Sequence, residues 1–116
     1  MANLKVYDWE RERWPEFQTV MLDRRAQGRI LLALIRHYHT PPVQIHQSHR
    51  RGAGSGLGGS YVPAAVVKLG KVARLSTVVH EFTHHLCFTQ GESGGWHGRR
   101  FRVRLAQVYR YARRYL

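Results

Sequence analysis

The chain has a single cysteine, Cys87, among its 116 residues. One thiol excludes a disulfide framework and any four-cysteine zinc ribbon, and it suits a reducing compartment. A bound metal would therefore rely on histidine and carboxylate. Long apolar runs are missing as well. The longest, Ile30 to Ile35, is six residues, where a membrane span needs about 20. No apolar stretch follows the first basic residues, so no secretory leader is read. The expectation is a soluble, cytoplasmic, monomeric protein with no membrane partner. Its length fits one domain, residues 1–116, with a small core.

Acidic residues are scarce and unevenly placed. Five of the seven (Asp8, Glu10, Glu12, Glu16, Asp23) lie in the first 23 residues, and from Arg24 onward 16 basic residues face only Glu81 and Glu92. The net charge of +12 gives most of the molecule a positive field, which favours polyanions and nucleic acid above all. Internal repeats are absent.

Apolar residues recur at three- and four-residue steps from Glu16 to about Tyr38, which predicts an amphipathic helix. A shorter helical piece is expected around Val6 to Arg13. Val43 to His49 alternates apolar with polar residues, and after a glycine-rich loop at residues 50–60 "AAVVKLG" supplies a second β-branched run. The two are expected to pair as a hairpin. Helical spacing returns from Val72 to about Phe88. "TQGESGG" breaks it, and the stretch from His97 onward opens a last helix. The expected fold class is α+β: an N-terminal helix, a short sheet with an exposed edge strand, and two further helices.

"TVVHEFTHHL", Thr77 to Leu86, carries the chemistry. Residues four apart on a helix differ by about 40° around the axis, so His80 and His84 can aim both imidazoles at one metal ion. Glu81, about 100° from His80, can reach water beside the metal without ligating it, the place of a general base. Catalytic zinc usually takes three protein ligands. His97, beyond the glycine-rich turn, is the first choice for the third, with Glu92 as the alternative. The longer zincin pattern H-E-x-x-H-x-x-G-x-x-H fails, because its last two positions hold Cys87 and Gln90.

"TVVHEFTHHL" followed by "HGRRF", with "GGSYVPAAVVKLG" upstream, resembles the SprT-like (Spartan-type) zinc metalloprotease domain over roughly Gly58 to Leu105. The resemblance implies His80, His84 and His97 as Zn2+ ligands and Glu81 as the catalytic acid/base. It also implies an edge strand within Tyr61 to Leu69, with Tyr61, Val66 and Lys68 as substrate-binding residues, along which a peptide would add as an extra strand. The zinc ribbon that follows the domain in many members has no counterpart here, so a minimal catalytic core is expected. DNA-associated protein is the substrate class implied.

Other signals are weaker. "GSGLGG" matches a dinucleotide fingerprint, but a tyrosine, a proline and a β-branched run follow where a helix should open, so it reads as a loop. His37, His39, His46 and His49 read as solvated. His85 is expected to brace Glu81 or face solvent, and Cys87 to be a small buried residue beneath the site. Tyr61, His85 or a C-terminal tyrosine would supply the oxyanion donor. Arg99, Arg100, Arg102, Arg110, Arg113 and Arg114 form a stripe interleaved with tyrosines that can track phosphates. The leading expectation is therefore zinc-dependent peptide hydrolysis. The competing ones are a nucleic-acid-binding module with a structural zinc, and zinc-dependent hydrolysis of a non-peptide bond.

Overall fold

A computed structural model describes residues 2–48, 59–63, 66–91 and 97–116. Helix α1 (Ala2–Arg13) docks through Val6 and Glu10, one helical turn apart and both buried, with buried Trp14 a further four residues on. Pro15 then leads a 3-10 turn (Pro15–Gln18) that buries Phe17. The chain next becomes extended as β1 (Met21–Asp23), so the single helix expected from Glu16 to Tyr38 is divided. Tertiary pairing overrides the helical spacing there: β1 runs antiparallel to β5 (Val72–Arg74), with Leu22 opposite Ala73 and both side chains in the core.

Asp23 ends the strand and caps α2 (Arg24–Tyr38), its side chain accepting the N–H of Ala26 at 2.8 Å. Ile30, Leu31 and Leu34 supply the helix's apolar face. Gln27 is fully buried among them and acts as a clamp. Its Nε2 donates to the carbonyls of Leu22 at 3.0 Å and Gly70 at 3.1 Å, and its Oε1 accepts from Arg24 at 3.2 Å. Gln27→Leu would leave those two carbonyls short of a donor. Because a buried polar group without a partner costs about 1–3 kcal/mol, the variant should unfold at a clearly lower urea concentration with an unchanged slope. An unchanged midpoint would show that water replaces the clamp.

The three-stranded sheet has the order β2-β4-β3, formed by β2 (Gln44–Gln47), β3 (Gly59–Val62) and β4 (Val66–Leu69). The expected hairpin between the first and second β-branched runs is not formed. β2 and β4 pair in parallel, Gln44 opposite Val66, and the antiparallel partner of β4 is β3, Tyr61 opposite Val67. The physical reason is that Gly59–Val62 supplies a strand close enough in sequence to turn back directly on β4. This also corrects the placement of the edge. Val66 and Lys68 lie on the central strand, hydrogen-bonded on both sides, while Tyr61 lies on β3, which has no second neighbour among the described residues.

Tyr61, Val67 and Leu69 are buried and Lys68 points outward. The sheet approaches the next helix so closely at Gly59 that a Cβ there would meet the Lys68 carbonyl at 2.9 Å and Thr77 Cγ2 at 3.0 Å. That helix, α3 (Leu75–Thr89), begins three residues later than its spacing suggested, because Val72–Arg74 is taken up by β5. It is the central element, packed between α2, the sheet and α4 (Arg99–Ala112). Nearly every residue from Leu75 to Leu86 is buried, as a helix surrounded on all sides requires. A 3-10 turn (Arg113–Tyr115) ends the chain. Among the described residues no helix is long and apolar enough to cross a membrane.

Candidate metal centre

α3 begins without a side-chain cap, but the N–H of Leu75 donates to the Val20 carbonyl at 2.8 Å, which fixes the helix start against the segment before β1. One and two turns further on, His80 and His84 emerge on the same side, toward the start of α4. His97 comes from the turn just before α4. Its Nε2 lies 3.1 Å from the Nε2 of His80 and 3.1 Å from that of His84. A tetrahedral zinc site with Zn–N bonds of 2.0–2.1 Å needs ligand nitrogens about 3.3 Å apart; the two separations to His97 are close to that, and the ligand atoms of all three residues lie within 4.8 Å of one another. This is the one such three-residue cluster among the described residues.

The rings are held from several directions. Glu10 accepts from Nδ1 of His80 at 2.7 Å and from the Tyr109 hydroxyl at 2.6 Å, all three groups being buried. A carboxylate oxygen only accepts, so Nδ1 carries the hydrogen and Nε2 is left with the lone pair a metal requires. Phe101, one turn into α4, stacks on His84 at 4.3 Å and meets His80 and His97 edge-on at 5.1 Å each. Tyr7, partly exposed, stacks on His80 at 4.9 Å.

Protonation follows the same geometry. Burial, and then the neighbouring His80, push His84 down to about 2, while burial and His80 also push His97 down to about 4. Both rings are neutral donors near neutral pH. Burial pulls His80 the same way, but the hydrogen bond and charge of Glu10, with the charge of Glu81, outweigh it and raise its pKa. Glu81 is buried. The donor set thus fits a divalent metal ion that accepts imidazole nitrogen.

His85 neither braces Glu81 nor faces solvent. It is fully buried, its Nε2–H donating to the Pro41 carbonyl at 2.6 Å and its Nδ1 accepting the Tyr61 hydroxyl at 2.6 Å. Burial lowers its pKa, against the smaller raising effect of the Pro41 bond. Two of the oxyanion candidates, Tyr61 and His85, are therefore bonded to each other, and Tyr109 is bonded to Glu10. Cys87 is half-buried rather than buried. His37 and His39 are exposed, and His46, also exposed, pairs with Gln44. His49, Glu92 and residues 54–58 of the glycine-rich loop lie outside the described residues.

The arginines of α4 and of the turn after it do not act alike. Arg99 and Arg102 line a cleft beside His97, and Arg100 and Arg110 are exposed. Arg113 reaches Glu16 at 3.7 Å, and Arg114 lies over Tyr111 and donates to its carbonyl at 3.0 Å.

No family model, curated protein or solved structure matches the chain. Sequence reasoning missed Glu10, Tyr109, Tyr7 and Phe101. The available signal for Glu10 was its rarity: a metal-ligating histidine normally donates its second N–H to a carboxylate or carbonyl, and this chain has only seven carboxylate side chains.

Proposed function

We propose that the protein is a zinc-dependent metallopeptidase. The observation that carries this reading is the convergence of three imidazole nitrogens on one point, with the buried carboxylate of Glu81 directly after the first of them on the same helix. Imidazole also suits copper, iron and nickel, but three nitrogen ligands with a carboxylate left over for proton transfer is the donor count of hydrolytic zinc sites. Zinc, when bound, polarises a carbonyl oxygen and makes water acidic enough to be used near pH 7. Glu81 takes the proton from the attacking water and returns it to the leaving amine. Glu10 holds His80 in the ligating tautomer, and Phe101 fixes the ring planes.

A peptide substrate is favoured by the position of β3. This strand is the outer one of its sheet among the described residues, and Tyr61 within it contacts His85, the neighbour of His84. An extended peptide added to that edge runs beside the active-site helix. The resemblance to SprT-like domains supports the same reaction, with DNA-associated protein as substrate. The experiment is to load the protein with zinc, add an unstructured basic protein and follow cleavage by mass spectrometry. Cleavage is expected to stop on chelation and return with zinc. Identical products with and without metal would overturn the reading.

The exposed arginines of α4 support a second reading, a nucleic-acid contact with the metal in a structural role. It predicts single-stranded DNA binding that weakens steeply with salt, and no zinc-dependent cleavage.

A further inference from the structure

Beside His97, between α1 and α4, an open cleft of about 580 Å³ is lined by Trp9, Arg13, His97, Arg99, Arg102 and Val103, among others. Three arginines line it from two helices. Arg13 lies 5.8 Å from the Trp9 ring centre and 5.4 Å from that of Trp14, and Arg102 lies 5.4 Å from that of Trp9. The Trp9 indole thus serves as a platform for the Arg102 guanidinium and, together with Trp14, for that of Arg13. Neither arginine forms an ion pair with a carboxylate among the described residues, and neither does Arg99.

Three like charges lining one cleft raise the local positive potential, which favours entry of an anion. The position of the cleft indicates which anion. His97 is shared between the cleft wall and the metal seat, so a group bound there sits next to the reacting bond. Val103 and Ala106 add an apolar wall suited to methylene groups. A nucleobase is a poorer fit, because it would have to displace a guanidinium to stack on Trp9.

We propose that this cleft is a carboxylate-binding subsite that selects peptides bearing an anionic group next to the bond to be cut. Arg99 and Arg102 provide the fork from α4, and Arg13 closes it from α1. Guanidinium and carboxylate match as parallel N–H···O pairs. The carboxylate is either an Asp or Glu side chain or the peptide's own C-terminus. The substrate class rests on the peptidase reading above, but the binding chemistry can be measured apart from it.

The test uses the zinc-loaded 116-residue chain and unstructured peptides identical except for Glu, Gln or Lys at a single position, each made with a free and an amidated C-terminus. Binding is measured by fluorescence polarisation and cleavage by mass spectrometry. Charge-assisted hydrogen bonds predict about 10- to 100-fold tighter binding of the acidic peptide than of its Gln counterpart. A preference for Glu over Gln that survives amidation assigns the subsite to a side chain, and tighter binding of the free than of the amidated form, whatever the residue, assigns it to the C-terminus.

Arg99→Gln with Arg102→Gln should abolish the preference, and Arg99→Glu with Arg102→Glu should transfer it to the Lys peptide. Arg99→Gln alone, at an exposed position, serves if a double variant fails to fold, and should weaken the preference. Wild type binding Glu and Gln peptides, and their free and amidated forms, all within about two-fold would overturn the proposal. So would variants that keep the preference, or a single-stranded oligonucleotide whose binding needs these arginines while the peptides are not distinguished. Discrimination without any cleavage would keep the subsite and reject the peptidase reading; cleavage without discrimination would do the reverse.

Discussion

Glu81→Gln is expected to reduce peptide cleavage by about 10²- to 10⁴-fold, the range for loss of a general acid–base group, while leaving one zinc per chain. Glutamine has the size and shape of glutamate, so a side chain buried in the middle of α3 can be replaced without opening a cavity. The amide cannot accept a proton near neutral pH, so the step that generates the nucleophile loses its base. Metal uptake should persist because the three converging nitrogens belong to His80, His84 and His97. Metal content and kcat/KM must be measured on the same preparation. Full activity in a metal-replete variant would remove Glu81 from the mechanism, and loss of metal would show that it supports the ligand set instead.

How far the sequence revealed this site depended on the element. The imidazole set was legible because α3 and α4 keep helical periodicity up to the residues that matter, and because two histidines one turn apart point the same way in any regular helix. β1 and β5 were not legible. Each is three residues long, and Met21 and Val72 fall in phase with the apolar spacing of the helices beside them, so only the pairing of Leu22 with Ala73 makes them strands. Local sequence also could not show which strand lies between two others. β4 alternates as any half-buried strand does, and its parallel partner β2 lies some 20 residues away, beyond the glycine-rich loop. α1 was only partly legible for a reason tied to function: one position of its core-facing stripe holds a carboxylate, which breaks the apolar pattern that would have announced the helix.

That carboxylate, Glu10, should have the largest effect on stability. It joins α1 to the ends of the metal centre, accepting from His80 on α3 and from Tyr109 on α4, 99 residues along the chain. Glu10→Ala removes both acceptors at once and leaves a buried N–H and a buried O–H without partners. Breaking a buried charged pair from one side costs about 3–5 kcal/mol, much of what a domain of this size has in total. Metal affinity should also fall by about 10- to 100-fold, the usual consequence of removing a carboxylate behind a ligating histidine. Glu10→Gln separates the two effects. Its Oε1 can still accept from Nδ1 of His80, and its Nε2 can donate to the Tyr109 oxygen, so most of the stability should remain. The negative charge that favours electron donation through the imidazole is lost, so zinc should still bind more weakly. Urea denaturation of the metal-free protein measures the first effect, and competition for zinc with a chromogenic chelator measures the second. If the Gln variant matched wild type in zinc affinity while the Ala variant unfolded early, Glu10 would be a packing anchor for α1 and not a positioning residue for His80.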